Sequence, residues 1–218
     1  MTTRVFVQGL RGRMGQAVSG LIGEDDARFA LAHRVEDADV VVDFSSPQGA
    51  LDALRACVAE KVPLVTGTTA LENDWQAARD VAAASIAILE APNMSLGVNL
   101  VYRLLDIAAS SIGDEADIDI IETHHTAKVD APSGTALRMG EVIREALSEA
   151  SDAPRYHSLR AGDIPGEHRV KFTLAGEQVE ICHFALNRSI FARGALHAAE
   201  WIRTASPGVY SMQDVLDG

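Results

Sequence analysis

Five short apolar runs alternate with helical patterns through the N-terminal half of the chain, and that alternation leaves few folds open. The runs are Arg4–Val7, Phe29–His33, Val40–Phe44, Pro63–Val65 and Ile86–Leu89. Helical patterns cover Gln16–Ile22, Gln48–Glu60 and about Glu72–Ala84. Strands separated by helices pair in parallel, and the helices then cover the faces of the sheet. The run Val40–Phe44 has the near-continuous apolar character of a strand buried on both sides. Pro47 opens the following helix, where its missing N–H costs nothing. One connection is out of step. Val35–Asp39 is too short for a crossover helix, which takes about a dozen residues, so one βα unit is expected to be missing.

After Asn93-Met-Ser-Leu-Gly97 the pattern changes. A long helix is predicted over Val98–Ser110, a strand over Ile118–Ile121 and a helix over Ala136–Ile143. A loop rich in Gly and Pro (Ala161–Glu167) precedes two alternating β runs, Arg169–Leu174 and Gln178–Ala185. Joined by Ala175-Gly176-Glu177, these runs read as antiparallel, which makes the second half α+β. A last helix is predicted over Arg193–Ile202.

The composition removes several classes of function. A net charge of −12 argues against nucleic acid, whose phosphates need a basic surface. An anionic ligand must therefore be drawn by a local basic cluster against the field of the whole molecule. No apolar run approaches the roughly 20 residues of a membrane span. Met1-Thr-Thr-Arg-Val-Phe-Val7 enters a strand at once and leaves no room for a signal peptide, so a cytoplasmic location is expected. Cys57 and Cys182 lie far apart without a CxxC, which favours small buried side chains over a disulfide or a thiolate metal site.

Gly9-Leu10-Arg11-Gly12-Arg13-Met14-Gly15 follows the first strand and opens a helix. Glycine there lets the backbone approach a pyrophosphate at the helix N-terminus, as in Rossmann-like sheets. The spacing departs from GxGxxG, and a plain βα turn produces the same pattern. Its place in an N-terminal βαβ unit, with Arg11 and Arg13 available to phosphates, favours a dinucleotide. At the end of the second strand stand His33 and Arg34, with Glu36 and Asp37 only after them. A basic pair there suits a 2′-phosphate and hence NADPH over NADH, although the short segment leaves ribose recognition open.

The densest chemistry lies in Glu122-Thr-His-His-Thr-Ala-Lys-Val-Asp-Ala-Pro-Ser-Gly-Thr135. A strand ends in His124 and His125, Lys128 follows, and Ser133-Gly134-Thr135 starts a helix. Unpaired N–H groups at that helix start, with a lysine and two imidazoles, are equipped to hold an anion and supply protons. A small acidic substrate that is also protonated follows. A lone histidine at a strand end is commonly a packed or solvated side chain, but the pair with lysine and the PSGT turn argues otherwise. Asp130 is expected to cap the helix entry. Glu122 and Glu177 are expected to tie Lys or Arg side chains, and His168 and His183 are candidates for orienting the site.

These segments resemble the 4-hydroxy-tetrahydrodipicolinate reductase family, also called dihydrodipicolinate reductases. The resemblance rests on Gly9–Gly15, Val42-Asp-Phe-Ser-Ser-Pro47, Gly67-Thr-Thr69, Ala91-Pro-Asn-Met-Ser95, Glu122-Thr-His-His125, Lys128–Ala136 and Arg188-Ser-Ile-Phe-Ala-Arg-Gly-Ala195. It runs through nearly the whole chain, and HHxxKxDxPSGTA is its most specific block. It implies reduction of a cyclic imine dicarboxylate by NADPH or NADH, on the route to diaminopimelate and lysine. By this likeness Gly9, Leu10, Arg11, Gly12, Arg13, Met14, Gly67, Thr68, Thr69, Ala91, Pro92, Asn93 and Met94 line the dinucleotide, with Arg188 nearby. His124 and Lys128 form the catalytic pair, while His125, Ser133, Gly134 and Thr135 hold the substrate carboxylates. The likeness further implies a Rossmann-like dinucleotide domain, shortened by one βα unit, of residues 1–95 plus about 188–218. Residues of about 96–187 then form an α+β substrate and oligomerisation domain, assembling a homotetramer through its sheet.

Three rival readings differ in chemistry. A metal hydrolase built on His124, His125 and His168 is disfavoured, because adjacent strand residues point to opposite faces and no carboxylate cluster completes the site; no metal is expected. A dinucleotide sensor without chemistry fits poorly with His124 and Lys128 both in place. A related amino-acid dehydrogenase shares the architecture but not the PSGT turn.

Overall fold

The computed structural model describes residues 2–149 and 151–218. In chain order the elements are β1 (Thr3–Gln8), α1 (Arg13–Glu24), β2 (Phe29–Leu31), β3 (Val40–Asp43), α2 (Pro47–Glu60), β4 (Leu64–Thr66), α3 (Asn73–Ala82) and β5 (Ala87–Glu90). Then come α4 (Leu96–Ile112), β6 (Asp117–His124), α5 (Gly134–Ala146), β7 (Arg155–Arg160), β8 (Glu167–Leu174), β9 (Glu177–Phe184), α6 (Ser189–Ile202), β10 (Gly208–Tyr210) and α7 (Met212–Asp217). They form two compact units, Met1–Leu96 with Ser189–Gly218, and Gly97–Arg188.

The first unit is a six-stranded sheet in the order β10-β5-β4-β3-β1-β2, with every pairing parallel. Val40, Val41 and Val42 are wholly buried, as a strand with helices on both faces requires. One face packs Val18, Leu21, Ala195 and Ala199 against Val5, Val40 and Val42. The other packs Leu54, Cys57 and Trp75 against Val41, Leu64 and Ile88. Burying a side chain such as Leu64 or Ile88 contributes roughly 1.5–3 kcal/mol before conformational entropy is charged. Ser46 caps α2 by accepting from the Gly49 N–H at 3.2 Å, with Pro47 at the first helical position. The short connection after β2 holds only a 3-10 turn, Val35–Asp37, in place of a crossover helix.

The second unit is a four-stranded mixed sheet, β7-β6-β8-β9, with β6 parallel to β7 and antiparallel to β8. Alternation along β6 buries Ile118, Ile120, Glu122 and His124 on one face. Ile118 and Ile120 pack with Phe172 of β8 against Leu105 of α4 and Met139 and Ile143 of α5. The polar residues at the end of this face therefore continue directly from an apolar core. The opposite face carries charge, with Arg155 donating to Asp119 at 2.9 Å and His157 paired with the same carboxylate at 2.7 Å.

Sequence periodicity did not reveal β7 or β10. β7, Arg-Tyr-His-Ser-Leu-Arg, is a largely exposed edge strand without an apolar rhythm. β10 is three residues long and also lies at a sheet edge.

Candidate active site

Register in the parallel sheet places Gln8 opposite Asp43, Asp43 opposite Thr66, and Thr66 opposite Glu90. The loops that follow, Gly9–Gly12, Phe44–Ser46, Gly67–Thr69 and Ala91–Met94, consequently share the carboxyl edge of the sheet. Ligands of open α/β sheets bind at that edge. A cleft of about 430 Å³ lies there, lined by Gly9, Leu10, Arg11 and Gly12 together with Leu31, Ala32 and His33. Gly9 has φ +82°, and a Cβ on it would lie 2.5 Å from the Phe44 carbonyl oxygen, so only glycine fits this turn. α1 begins at Arg13 after Gly12, which offers no side-chain cap. Its first N–H groups are therefore available to a phosphate at the positive end of the helix dipole. Arg34 pairs with Glu36 instead of lining the cleft.

Sequence reasoning passed over Asp43. It is fully buried, and it accepts from the Thr66 hydroxyl at 2.8 Å, the Thr68 hydroxyl at 2.7 Å and the Ser45 N–H at 3.1 Å, with the Ser45 hydroxyl as a fourth donor. One carboxylate thereby fastens the loops after β3 and β4 to each other. The signal was present in principle, since a charge closing an otherwise apolar strand needs local donors.

In the second unit, His124 ends β6 buried, and its Nδ1 is held by the Glu122 carboxylate. Arg160 of β7 grips the same carboxylate, through Nη1 at 3.0 Å and Nη2 at 2.9 Å. Parallel pairing sets Arg160 directly opposite His124, a proximity that no sequence spacing announces. Arg160 also donates to the backbone carbonyls of Lys128 and Asp130, fixing the loop between β6 and α5. Burial works against the charge on Glu122, but its hydrogen bonds from Arg160, Ser158 and His124 prevail and hold its pKa below the usual value. For His124, burial pushes the pKa down, Glu122 pushes it up, and the positive charges of Lys128 and Arg160 press it down again; the net shift is downward.

His168 of β8 meets the His124 ring edge-on, with centroids 5.2 Å apart and planes at 76°. Its Nε2 lies 3.1 Å from the Ser133 hydroxyl, and burial pushes its pKa down to about 3, so the ring is neutral near pH 7. Gly166 borders the other edge of His124: a Cβ there would stand 3.0 Å from Nε2.

The helix after the loop is capped by Ser133, whose hydroxyl accepts from the Ala136 N–H at 3.1 Å. Asp130, expected as the cap, lies three residues too early and instead takes Lys128 Nζ at 2.7 and 2.8 Å. With the Ser133 side chain buried and engaged by Ala136 and His168, backbone N–H groups at Gly134 and Thr135 are what this turn offers to an anion. His125 meets Arg188, whose Nη2 lies 3.1 Å from Nε2. Arg188 thus belongs to the unit that carries the histidines. Among the described residues, no group of three or more His, Cys, Asp or Glu side chains is arranged to hold a metal ion. Also among them, no helix is long and apolar enough to cross a membrane.

Comparison with known proteins bears on this geometry directly. The family profile "Dihydrodipicolinate reductase, C-terminus" matches residues 97–216, and its partner for the N-terminus matches residues 28–94. The chain belongs to the dihydrodipicolinate reductase family. A 4-hydroxy-tetrahydrodipicolinate reductase of Xanthomonas campestris pv. campestris is 43% identical over 242 residues, covering 99% of this chain and 100% of the relative. That of Hahella chejuensis is 38% identical over 263 residues, covering 98% of each. Among solved structures, the dipicolinate-bound dihydrodipicolinate reductase from Paenisporosarcina sp. TG-14 superposes with a TM-score of 0.82. It covers 98% of this chain and 99% of its own at 21% identity, and so supports the dihydrodipicolinate reductase fold. The expected Rossmann-like parallel sheet, with its shortened connection, and the second α+β sheet are both present.

Proposed function

We propose that this chain reduces 4-hydroxy-tetrahydrodipicolinate to tetrahydrodipicolinate with a reduced nicotinamide dinucleotide, in the diaminopimelate route to lysine. The observation that carries the reading is the buried His124 held by Glu122, one short loop from Lys128 and the start of α5. A bound reduced nicotinamide supplies the hydride. Gly9–Gly12 and the first turn of α1 fit its pyrophosphate, because glycine at 9 and 12 keeps the backbone open there and the first N–H groups of α1 have no side-chain cap. Gly67–Thr69, braced by Asp43, and Ala91–Met94 are assigned to the same ligand. With His33 on the cleft and no carboxylate among its lining residues, NADPH is preferred to NADH.

In the second unit, His124 donates a proton from Nε2 to the ring carbon that becomes negative as reduction proceeds. Lys128 stabilises that developing charge once its ammonium is drawn from Asp130 to the substrate. The N–H groups of Gly134 and Thr135, with His125, take the carboxylates and fix the ring in place. A doubly charged ligand beside His124 also offsets the burial that lowers its pKa, so the acid is charged when the substrate is present. The working protein is assigned as a cytoplasmic homotetramer joined through the outer sheet face, where Leu159 and Phe184 stand exposed.

The test is a spectrophotometric assay of nicotinamide oxidation with freshly made substrate from the preceding synthase, run with NADPH and NADH in turn. Substrate-dependent oxidation, faster with NADPH, is expected; none with either nicotinamide overturns the proposal.

A further inference from the structure

The triad of half-buried Arg160 with buried Glu122 and His124 goes beyond what an acid-and-lysine pair requires. Glu122 is 1% exposed, at the inner end of an apolar strand face, where an unpaired carboxylate is strongly disfavoured. Arg160 pairs with it from β7, Nη1 donating to Oε2 at 3.0 Å and Nη2 lying 2.9 Å from Oε1, which is left without an aligned hydrogen bond, and Oε2 also faces His124 Nδ1. A carboxylate accepts hydrogen bonds only, so the imidazole must carry a proton on Nδ1 whether it is neutral or charged. We propose that Glu122, backed by Arg160, is the positioning residue that fixes the tautomer of His124, so that Nε2 alone gives up the proton. This rests on the reading of His124 as the acid.

The step balances without a further reactant. The imidazolium loses its Nε2 proton to the substrate carbon, keeps the Nδ1 proton hydrogen-bonded to Glu122, and ends as the neutral Nδ1–H form, ready to take a proton from solvent on Nε2. Without Glu122 the neutral ring has two tautomers, and in the Nε2–H form the proton taken from solvent goes to Nδ1 instead of the nitrogen that serves the substrate.

Other groups near His124 act with opposite signs. Glu122, on its own strand, favours the charged ring. Arg160 from β7 and Lys128 from the following loop oppose it, with Asp130 drawing on Lys128. His168 from β8 is neutral and meets the ring edge-on, with Ser133 behind it. Removal of Glu122 and removal of Arg160 are therefore predicted to move His124 in opposite directions. A merely structural ion pair joining β6 to β7 would shift the midpoint by the same charges, so the position of the proton on the neutral ring is what distinguishes the two roles.

The experiment is long-range 1H–15N spectroscopy of the full chain with labelled histidine, alongside the pH profile of kcat/KM. In the unsubstituted protein above the His124 midpoint, the proton is expected on Nδ1. Glu122→Gln should lower the midpoint by about one pH unit, and Arg160→Gln should raise it by a similar amount. The high-pH limb of kcat/KM, where the acid is lost, should follow each shift. A neutral ring protonated on Nε2, or midpoints unmoved in both variants, overturns the proposal, and the tautomer measurement stands even if either variant folds poorly. His124→Asn separates the two levels. If it retains turnover, the reading of His124 as the acid fails; if it is inactive while the Glu122→Gln midpoint stays put, only the role of Glu122 fails.

Discussion

Asp43 and Glu122 are both shut away from solvent near the carboxyl end of a strand, at 0% and 1% exposure, but their partners differ in kind. Asp43 is surrounded by neutral donors, three hydroxyls and one backbone N–H, all from its own sheet edge. Glu122 is bound by a guanidinium and an imidazole. Neutral donors fix where backbone loops lie and have no charge state to exchange. A cation and a titratable ring respond to the charge of the carboxylate, so it governs protonation as well as position. In the proposed mechanism the first unit uses a buried carboxylate to shape a cradle, and the second uses one to prepare a proton donor.

The largest effects should fall on His124, which Glu122 holds, and on Lys128 in the loop that follows. His124→Ala or Lys128→Ala is expected to lower kcat by about 10²–10⁴-fold, the range of a positioned acid or charge. NADPH affinity, measured by nucleotide fluorescence, should stay within about threefold, because both residues lie outside the parallel-sheet unit. Equal loss of cofactor affinity would erase the division of labour between the two carboxylates.

Asp43→Ala should do the reverse. It leaves two threonine hydroxyls and a serine hydroxyl without their Asp43 acceptor, while the Ser45 N–H keeps the Thr68 hydroxyl, and costs about 3 kcal/mol by urea unfolding. Loosening Gly67–Thr69 should also weaken NADPH binding tenfold or more while leaving the His124 midpoint unchanged. A shifted midpoint in this variant would show that the two carboxylates are not independent.

The contrast also explains what the sequence disclosed. Parallel strands and their helices were legible because Val40–Val42, Leu64–Val65 and Ile88–Leu89 are buried on both faces and leave an apolar signature. His124, Lys128 and Ser133 were legible because they sit close together in the chain. Asp43 looked like the end of a strand, and its partners Thr66 and Thr68 lie 23 and 25 residues away. Arg160 was beyond reach, 38 residues from Glu122 on an edge strand without periodicity, and only parallel pairing brings it in. Asp130 was misjudged as a cap because helix entry depends on which residue faces the first free N–H, and Ser133 holds that place.

A smaller effect tests whether the histidines beside Glu122 burden folding in acid. His168 is buried with its pKa down at about 3, whereas in the unfolded chain it titrates near about 6.5. Between those values the unfolded state binds more protons, so its contribution to stability is complete above pH ~6.5 and is lost as pH falls. The slope is about 1.4 kcal/mol per pH unit from this one ring. Urea midpoints measured from pH 7 down to pH 5 should show the loss, and His168→Asn should flatten it even if it lowers stability at pH 7. An unchanged slope would mean that His168 is not the buried neutral group described here.

The smallest effect concerns the edge of His124 that Glu122 does not touch. Gly166 has no positive φ, so alanine is allowed by its backbone, but the new methyl would stand 3.0 Å from Nε2, 3.4 Å from Cδ2 and 3.7 Å from His168 Cε1. The ring, tethered at Nδ1, must shift by a few tenths of an ångström. Gly166→Ala is expected to lower kcat by about threefold to tenfold, with a stability change below ~1 kcal/mol and no change in NADPH affinity. The His124 midpoint should hardly move, because no charge has been altered. Stopped-flow turnover with a parallel histidine titration distinguishes the outcomes. A midpoint shifted as far as in Glu122→Gln would mean that crowding alone reproduces the effect attributed to the carboxylate, and would remove the reason for treating Glu122 differently from Asp43.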